Sequence, residues 1–200
     1  IKDEEGKDVI TGKTKYVRLA NDSTWKKESD MSKFDLARQL KKRIGKIRSA
    51  NNKLLSSDNP VERQLATALF FIDNYALRIG HEKGKDSADT VGVLSLRPSH
   101  VKLLDGNKIK LDFLGKDSVR YNRTVEVPKQ VYDNVSELIK NDKKLFDKIS
   151  PAALNKYLKS YMPGLTSKVF RTFNASDLYD KELRKVEAKM KDYSASDRVN

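Results

Sequence analysis

From Ile109 to Val127 the chain alternates. Ile109, Leu111 and Phe113 are interleaved with Lys110 and Asp112, then Val119 and Tyr121 with Arg120 and Asn122, and Val125 and Val127 continue the run. Successive side chains of a strand point to opposite faces, so each arm presents one apolar face and one polar face. Between the arms lies Gly115-Lys116-Asp117-Ser118, a turn by composition. The stretch therefore reads as a β-hairpin with a lysine at its tip, and it commits the fold to an antiparallel sheet. Residues 90–96, which lead into Arg97-Pro98, and residues 101–104 read as further strand, giving a sheet of about three strands.

The rest of the chain carries helical spacing. Leu36, Leu40, Ile44 and Ile47 step by four, four and three, which predicts a helix over 33–48 with one apolar stripe. Arg38, Lys42 and Lys46 fall on the opposite line, and residues 33–53 hold eight basic side chains and one acid. That face is open to two readings, solvation or phosphate contact. Ser56-Ser57-Asp58-Asn59-Pro60 is a loop in which Asp58 or Asn59 is placed to cap the next helix, over 61–79. This helix is rich in Leu, Ala and Phe, so Arg78 at its end stands out. It either satisfies the last carbonyls or is held rigidly to meet an anion. Residues 81–89 read as a polar loop, and 131–140, 151–161 and 166–173 as helices, followed by a charged helical tail over 178–199. The expected class is α+β, mainly α-helical with a small antiparallel three-stranded sheet. Residues 1–30, with one strand over 15–19, are expected to end a preceding core subdomain, and 31–200 to form the main unit.

Composition narrows the chemistry. The 200 residues include 41 Lys and Arg against 28 Asp and Glu, a net charge of +13. Such an excess favours a polyanionic partner, nucleic acid before an anionic membrane face. The chain has no cysteine, which excludes disulfides, thiolate catalysis and cysteine zinc sites. Its two histidines, His81 and His100, are too far apart in sequence to suggest a metal site. Carboxylates cluster only at Asp3-Glu4-Glu5, and nothing advertises a magnesium nuclease. The longest apolar run, 65–72, is too short to span a bilayer, and the start IKDEEGKDVI has no apolar signal core. With no initiating Met, the chain is expected to be a piece of something longer.

Three stretches carry a family resemblance: YALRIGHEKGKDSADTVGVLSLRPSHV (75–101), DFLGKDSVRY (112–121) and GLTSKVFRTFNAS (164–176). In that order and spacing they resemble the catalytic core of eukaryotic-type DNA topoisomerase I, the type IB class, whose core is similar to that of tyrosine recombinases. The likeness extends through KFDLARQLKKRIGKIR and LFDKISPAALNKYLKSYMPGL and covers roughly residues 15–176. It implies catalytic roles for Arg78, Lys116 and Arg171, and DNA contacts from His81, Thr90, Asp117 and Lys168. It implies a double-stranded DNA partner, a nuclear location, and neither ATP nor metal as cofactor. In this chemistry a tyrosine attacks a phosphodiester, forming a 3′-phosphotyrosyl bond and expelling a 5′-hydroxyl. Guanidinium groups suit the charge that gathers on the non-bridging oxygens, and a hairpin lysine suits the leaving oxygen as general acid.

The family also needs a histidine and a nucleophilic tyrosine in a Ser-Lys-x-x-Tyr context. None of Tyr16, Tyr75, Tyr121, Tyr132, Tyr157, Tyr161, Tyr179 and Tyr193 stands in that context, and neither His81 nor His100 matches the histidine. The expectation is that the histidine lies just beyond Asn200. The tyrosine is then supplied by a C-terminal segment of the same chain or of a separate subunit. These 200 residues alone are expected to bind DNA without forming the covalent intermediate. Two alternatives remain at this point: a tyrosine recombinase-like strand transferase, and a non-catalytic DNA-binding module in which the arginines only clamp phosphate.

Overall fold

The computed structural model describes residues 23–80 and 90–190. The expected strand at 15–19, His81, Tyr16 and Tyr193 lie outside the described residues. The chain divides into two compact units, Ile1–Lys33 and Phe34–Asn200. The described part of the first is mostly the opening of helix α1, Thr24–Leu54.

Within the second unit the core is built around α2, Pro60–Tyr75. Pro60 occupies the first helical turn, and the Asn59 side chain accepts from the Val61 amide at 3.0 Å, so this helix starts where its composition says it should. Ala66, Ala68, Leu69, Phe71 and Ile72 are all but inaccessible to solvent. Each large apolar side chain so buried contributes about 1.5–3 kcal/mol. Helices α3 (Lys129–Leu138), α4 (Pro151–Tyr161) and α5 (Ser167–Met190) all pack against α2. Helix α1 lays Ala37, Leu40 and Ile47 into the same core, which is the stripe its spacing predicted.

The sheet has three antiparallel strands in sequential order: β1 (Val101–Leu104), β2 (Lys108–Leu114) and β3 (Arg120–Glu126). Register runs from Lys108 opposite Glu126 to Leu114 opposite Arg120. Ile109, Leu111, Phe113 and Val125 face the core, as the alternation required.

Four expectations need correction. Helix α1 starts at Thr24 instead of 33 and continues past residue 48 to Leu54, a length that buries and satisfies Asn51. Its amide donates to the Ala66 carbonyl at 3.0 Å, and its oxygen accepts from the Tyr157 hydroxyl at 3.0 Å. Helix α2 stops at Tyr75 instead of 79, where Ala76 takes a left-handed conformation, φ 52° and ψ 28°. Residues 90–96 are not a strand: Val93–Ser95 is a single 3₁₀ turn. The Ser95 hydroxyl accepts from the Gly92 amide at 3.0 Å, a local bond that competes with a strand ladder. Finally, α5 runs unbroken to Met190, without the expected interruption after residue 173.

Candidate active site

Arg78 does not cap a helix. It lies three residues beyond the end of α2, and its backbone is locked against the segment around Gly92. The Val93 amide donates to the Arg78 carbonyl at 2.8 Å, and the Leu94 amide to the Ile79 carbonyl at 2.8 Å. The two backbones approach closely enough that only glycine fits. A Cβ on Gly92 would sit 2.4 Å from the Gly80 nitrogen and 2.6 Å from the Arg78 oxygen. Gly80 itself has φ +78°, a conformation that strains any residue with a Cβ.

Lys116 sits at the tip of the β2–β3 hairpin. The Gly115 amide donates to the Val119 carbonyl at 2.8 Å, and Asp117 and Ser118 both have positive φ, 62° and 58°. Two positive φ values at the centre of the turn match the twist of the flanking strands, although neither residue is glycine and each costs about 1–3 kcal/mol in this region. Below the turn the hairpin is stiffened by two cross-strand pairs. Phe113 and Tyr121 are in register and stack at 5.2 Å, and Asp112 receives a two-pronged guanidinium contact from Arg120, both bonds at 2.8 Å. That contact holds the Asp112 carboxyl below its ordinary range. The Lys116 ammonium is mostly exposed and sits 3.7 Å from the Asp117 carboxylate.

Lys168 and Arg171 lie three residues apart on the first turns of α5, a spacing that puts them on one face. The Arg171 Nε donates to the Ala76 carbonyl at 3.0 Å. That carbonyl is the exposed end of the left-handed cap, so the same backbone turn that ends α2 fixes the guanidinium. No core acid pairs with Arg171 among the described residues.

These pieces meet. Arg78, Thr90, Lys116, Lys168 and Arg171 line one open cavity of about 360 Å³. Asp117 lines an adjoining cavity of about 330 Å³ that shares Arg78, Lys116 and Arg171 as a common wall. Burial, and then the positive charge of Arg78, lower the Arg171 pKa from its ordinary value. Two guanidinium groups thus repel each other across a partly buried site, with no carboxylate paired to either among the described residues. Such an arrangement gains most from an anion with several oxygens.

His100 takes no part in this wall. Its Nδ1 accepts from the Arg97 amide at 3.2 Å and its ring lies 6.2 Å from that of Phe113. Tyr75, Tyr157 and Tyr161 are committed elsewhere: Tyr75 donates to the Glu126 carbonyl, and Tyr161 donates to the Tyr157 hydroxyl at 2.8 Å, whereas Tyr121 lines the adjoining cavity.

Sequence reasoning passed over three contributors. Gly92 is legible only as one glycine among nine. Ala76 gives no sequence signal of a left-handed cap. Ser167 opens α5 on the cavity wall; it is 7% exposed, and its hydroxyl has no hydrogen-bond partner among the described residues. The Thr166-Ser167 pair, typical of a helix start, was the available hint.

A family model for the eukaryotic DNA topoisomerase I catalytic core matches residues 22–200. The chain belongs to that family. It is 49% identical over 174 residues to DNA topoisomerase 1 of Candida albicans, which covers 85% of this chain and 22% of that protein. With DNA topoisomerase 1 of Candidozyma auris it shares 52% over 171 residues, 84% of this chain and 23% of the relative. With DNA topoisomerase 1 of Homo sapiens the figures are 44% over 188 residues, 90% and 25%. The chain therefore spans about a quarter of the length of the curated relatives it matches. The mainly helical architecture with a three-stranded antiparallel sheet fits this topoisomerase core. No helix among the described residues is long and apolar enough to cross a membrane.

Proposed function

We propose that this chain supplies the phosphate-activating part of a type IB DNA topoisomerase, which relaxes supercoiled DNA by cutting one strand, allowing rotation, and resealing without ATP. Supporting this most directly is the convergence of Arg78, Arg171, Lys168, Thr90 and the hairpin Lys116 on one cavity whose two guanidinium groups have no acid partner among the described residues. In the cutting step a tyrosine oxygen forms a bond to phosphorus while the bond from phosphorus to the 5′-oxygen breaks. Arg78 and Arg171 hold the non-bridging oxygens, and the charge they meet is greatest in the transition state. By comparison with single oxyanion donors elsewhere, each is worth roughly 3–4 kcal/mol in barrier height. Lys116 gives its proton to the departing 5′-oxygen and takes it back on resealing. The phosphotyrosyl bond conserves the energy of the broken linkage, so no nucleotide is consumed.

Thr90, Lys168, His81 and Asp117 supply further phosphate or base contacts to the DNA, as the family resemblance implies. The tyrosine comes from a C-terminal tyrosine-bearing segment, in the same chain or in a separate subunit. Residues 1–30 close a preceding subdomain. The protein acts on double-stranded DNA in the nucleus.

The test supplies the tyrosine-bearing segment with the histidine region and follows relaxation of a supercoiled plasmid without ATP or divalent metal. Relaxation that disappears on Arg78→Ala or Arg171→Ala supports the reading. DNA binding without relaxation sinks it in favour of a DNA clamp, and exchange between defined sites favours a recombinase.

A further inference from the structure

Asp73, five residues before Arg78, is 7% exposed and lies outside the cavity wall. A buried carboxylate is costly unless fully paired, and this one is. Arg48 of α1 meets it with two prongs, Nε to Oδ2 at 2.7 Å and Nη2 to Oδ1 at 2.9 Å. Asn174 of α5 adds its amide, which donates to Asp73 Oδ1 at 3.3 Å and also to the Asp73 carbonyl.

The spacing makes this more than a core ion pair. Asp73 and Ala76 are three apart at the end of α2, and Arg171 and Asn174 are three apart on α5. Asn174 holds the Asp73 carbonyl while Arg171 Nε holds the Ala76 carbonyl. Two side chains of one helix face thus satisfy two carbonyls at the end of another helix, carbonyls that a helix C-terminus leaves without partners. Arg48 fixes the carboxylate from the third side, so α1, α2 and α5 are pinned at one point. Arg78 follows Ala76 by two residues, so the same point sets where the chain leaves α2 toward it.

We propose that Asn174 is a positioning residue, acting with Asp73 and Arg48 to hold the Arg171 guanidinium, and through Ala76 the Arg78 backbone, in the geometry that receives phosphate. It touches no substrate. This rests on the functional reading above, and it adds a second layer to the site that is built from three helices.

The test uses the full-length protein and the variant Asn174→Ala. Single-turnover cleavage of a DNA duplex is measured beside DNA affinity and beside the hydrogen exchange of the Arg171 Nε–H. Expected are cleavage slowed roughly ten- to a hundredfold, the range a misplacement of about 1 Å produces, and affinity within about threefold. The loss should vanish in an Arg171→Ala background, and the Nε–H should exchange at least tenfold faster. Equal slowing in both backgrounds means a general structural role and overturns the proposal, as does unchanged cleavage. If the parent protein does not cleave DNA, the functional reading fails by itself. The Nε–H exchange then still decides the positioning: faster exchange in the variant supports it, and unchanged exchange overturns it. Arg48→Lys, which keeps the charge and loses the fork, serves should Asn174→Ala not fold. It should give the same dependence on Arg171 with a smaller loss.

Discussion

Replacing Gly92 by Ala tests the backbone contact that fixes Arg78. The new Cβ would meet the Gly80 nitrogen at 2.4 Å and the Arg78 oxygen at 2.6 Å, where ordinary contact begins at 3.4 Å. These are backbone atoms, so no side chain can swing away, and the two segments must part by about 1 Å. Overpacking of this kind costs about 1–3 kcal/mol, and the bond from the Val93 amide to the Arg78 carbonyl, worth about 1 kcal/mol net, is stretched. A shift of about 1 Å in a group that receives the reacting phosphate costs roughly a hundredfold in rate. In the full-length protein we expect single-turnover cleavage to fall by about that factor. The amides of Val93 and Leu94 should lose at least tenfold of their protection from hydrogen exchange. Gly45→Ala is the control. Nothing lies within 4 Å of its Cβ, and it sits exposed on helix α1. There the change should stabilise by roughly 0.5–1 kcal/mol. If Gly92→Ala keeps both the amide protection and the cleavage rate within threefold, the argument from close approach is wrong.

Lys116→Ala should slow cleavage by roughly a hundred- to ten-thousandfold while DNA affinity and its salt dependence stay nearly unchanged. A loss of affinity and salt slope instead marks a phosphate contact only. Tyr157→Phe strips the donor from Asn51 and the acceptor from Tyr161, and should cost about 1–2 kcal/mol in denaturant unfolding. The same variant changes the alkaline limb. Burial, then the bond from Tyr161, raise the Tyr157 pKa well above its ordinary value of 10.0. The folded state therefore keeps a proton that the unfolded chain releases, so this phenol's contribution to stability is constant below about pH 10 and falls as pH rises above it. Tyr157→Phe should make that fall shallower, and an unchanged slope would count against the burial of this phenol.

The sequence by itself determined what depends on local period and local chemistry. Alternation around Gly115-Lys116-Asp117-Ser118 was enough for the hairpin, since a one-residue slip would turn Ile109, Leu111 and Phe113 to solvent. Asn59-Pro60 was enough for the start of α2, because a side-chain cap and a fixed φ act within three residues. The motifs around Arg78, Lys116 and Arg171 pointed to the right family. Tertiary structure decided the rest, wherever a backbone group found its partner far along the chain. Residues 90–96 have strand-like composition, but the Val93 and Leu94 amides bond to Arg78 and Ile79, and the single bond from the Val91 amide to the Leu114 carbonyl of β2 is not extended into a ladder. Helix α2 reads as continuing to 79, yet it ends at Tyr75 because Arg171 and Asn174, roughly a hundred residues later, satisfy its last carbonyls. Those partners stabilise a left-handed alanine that no local preference would select, and they bring two arginines of like charge to one wall. Local sequence sets which conformations are cheap; the long-range contacts decide which costly ones are kept.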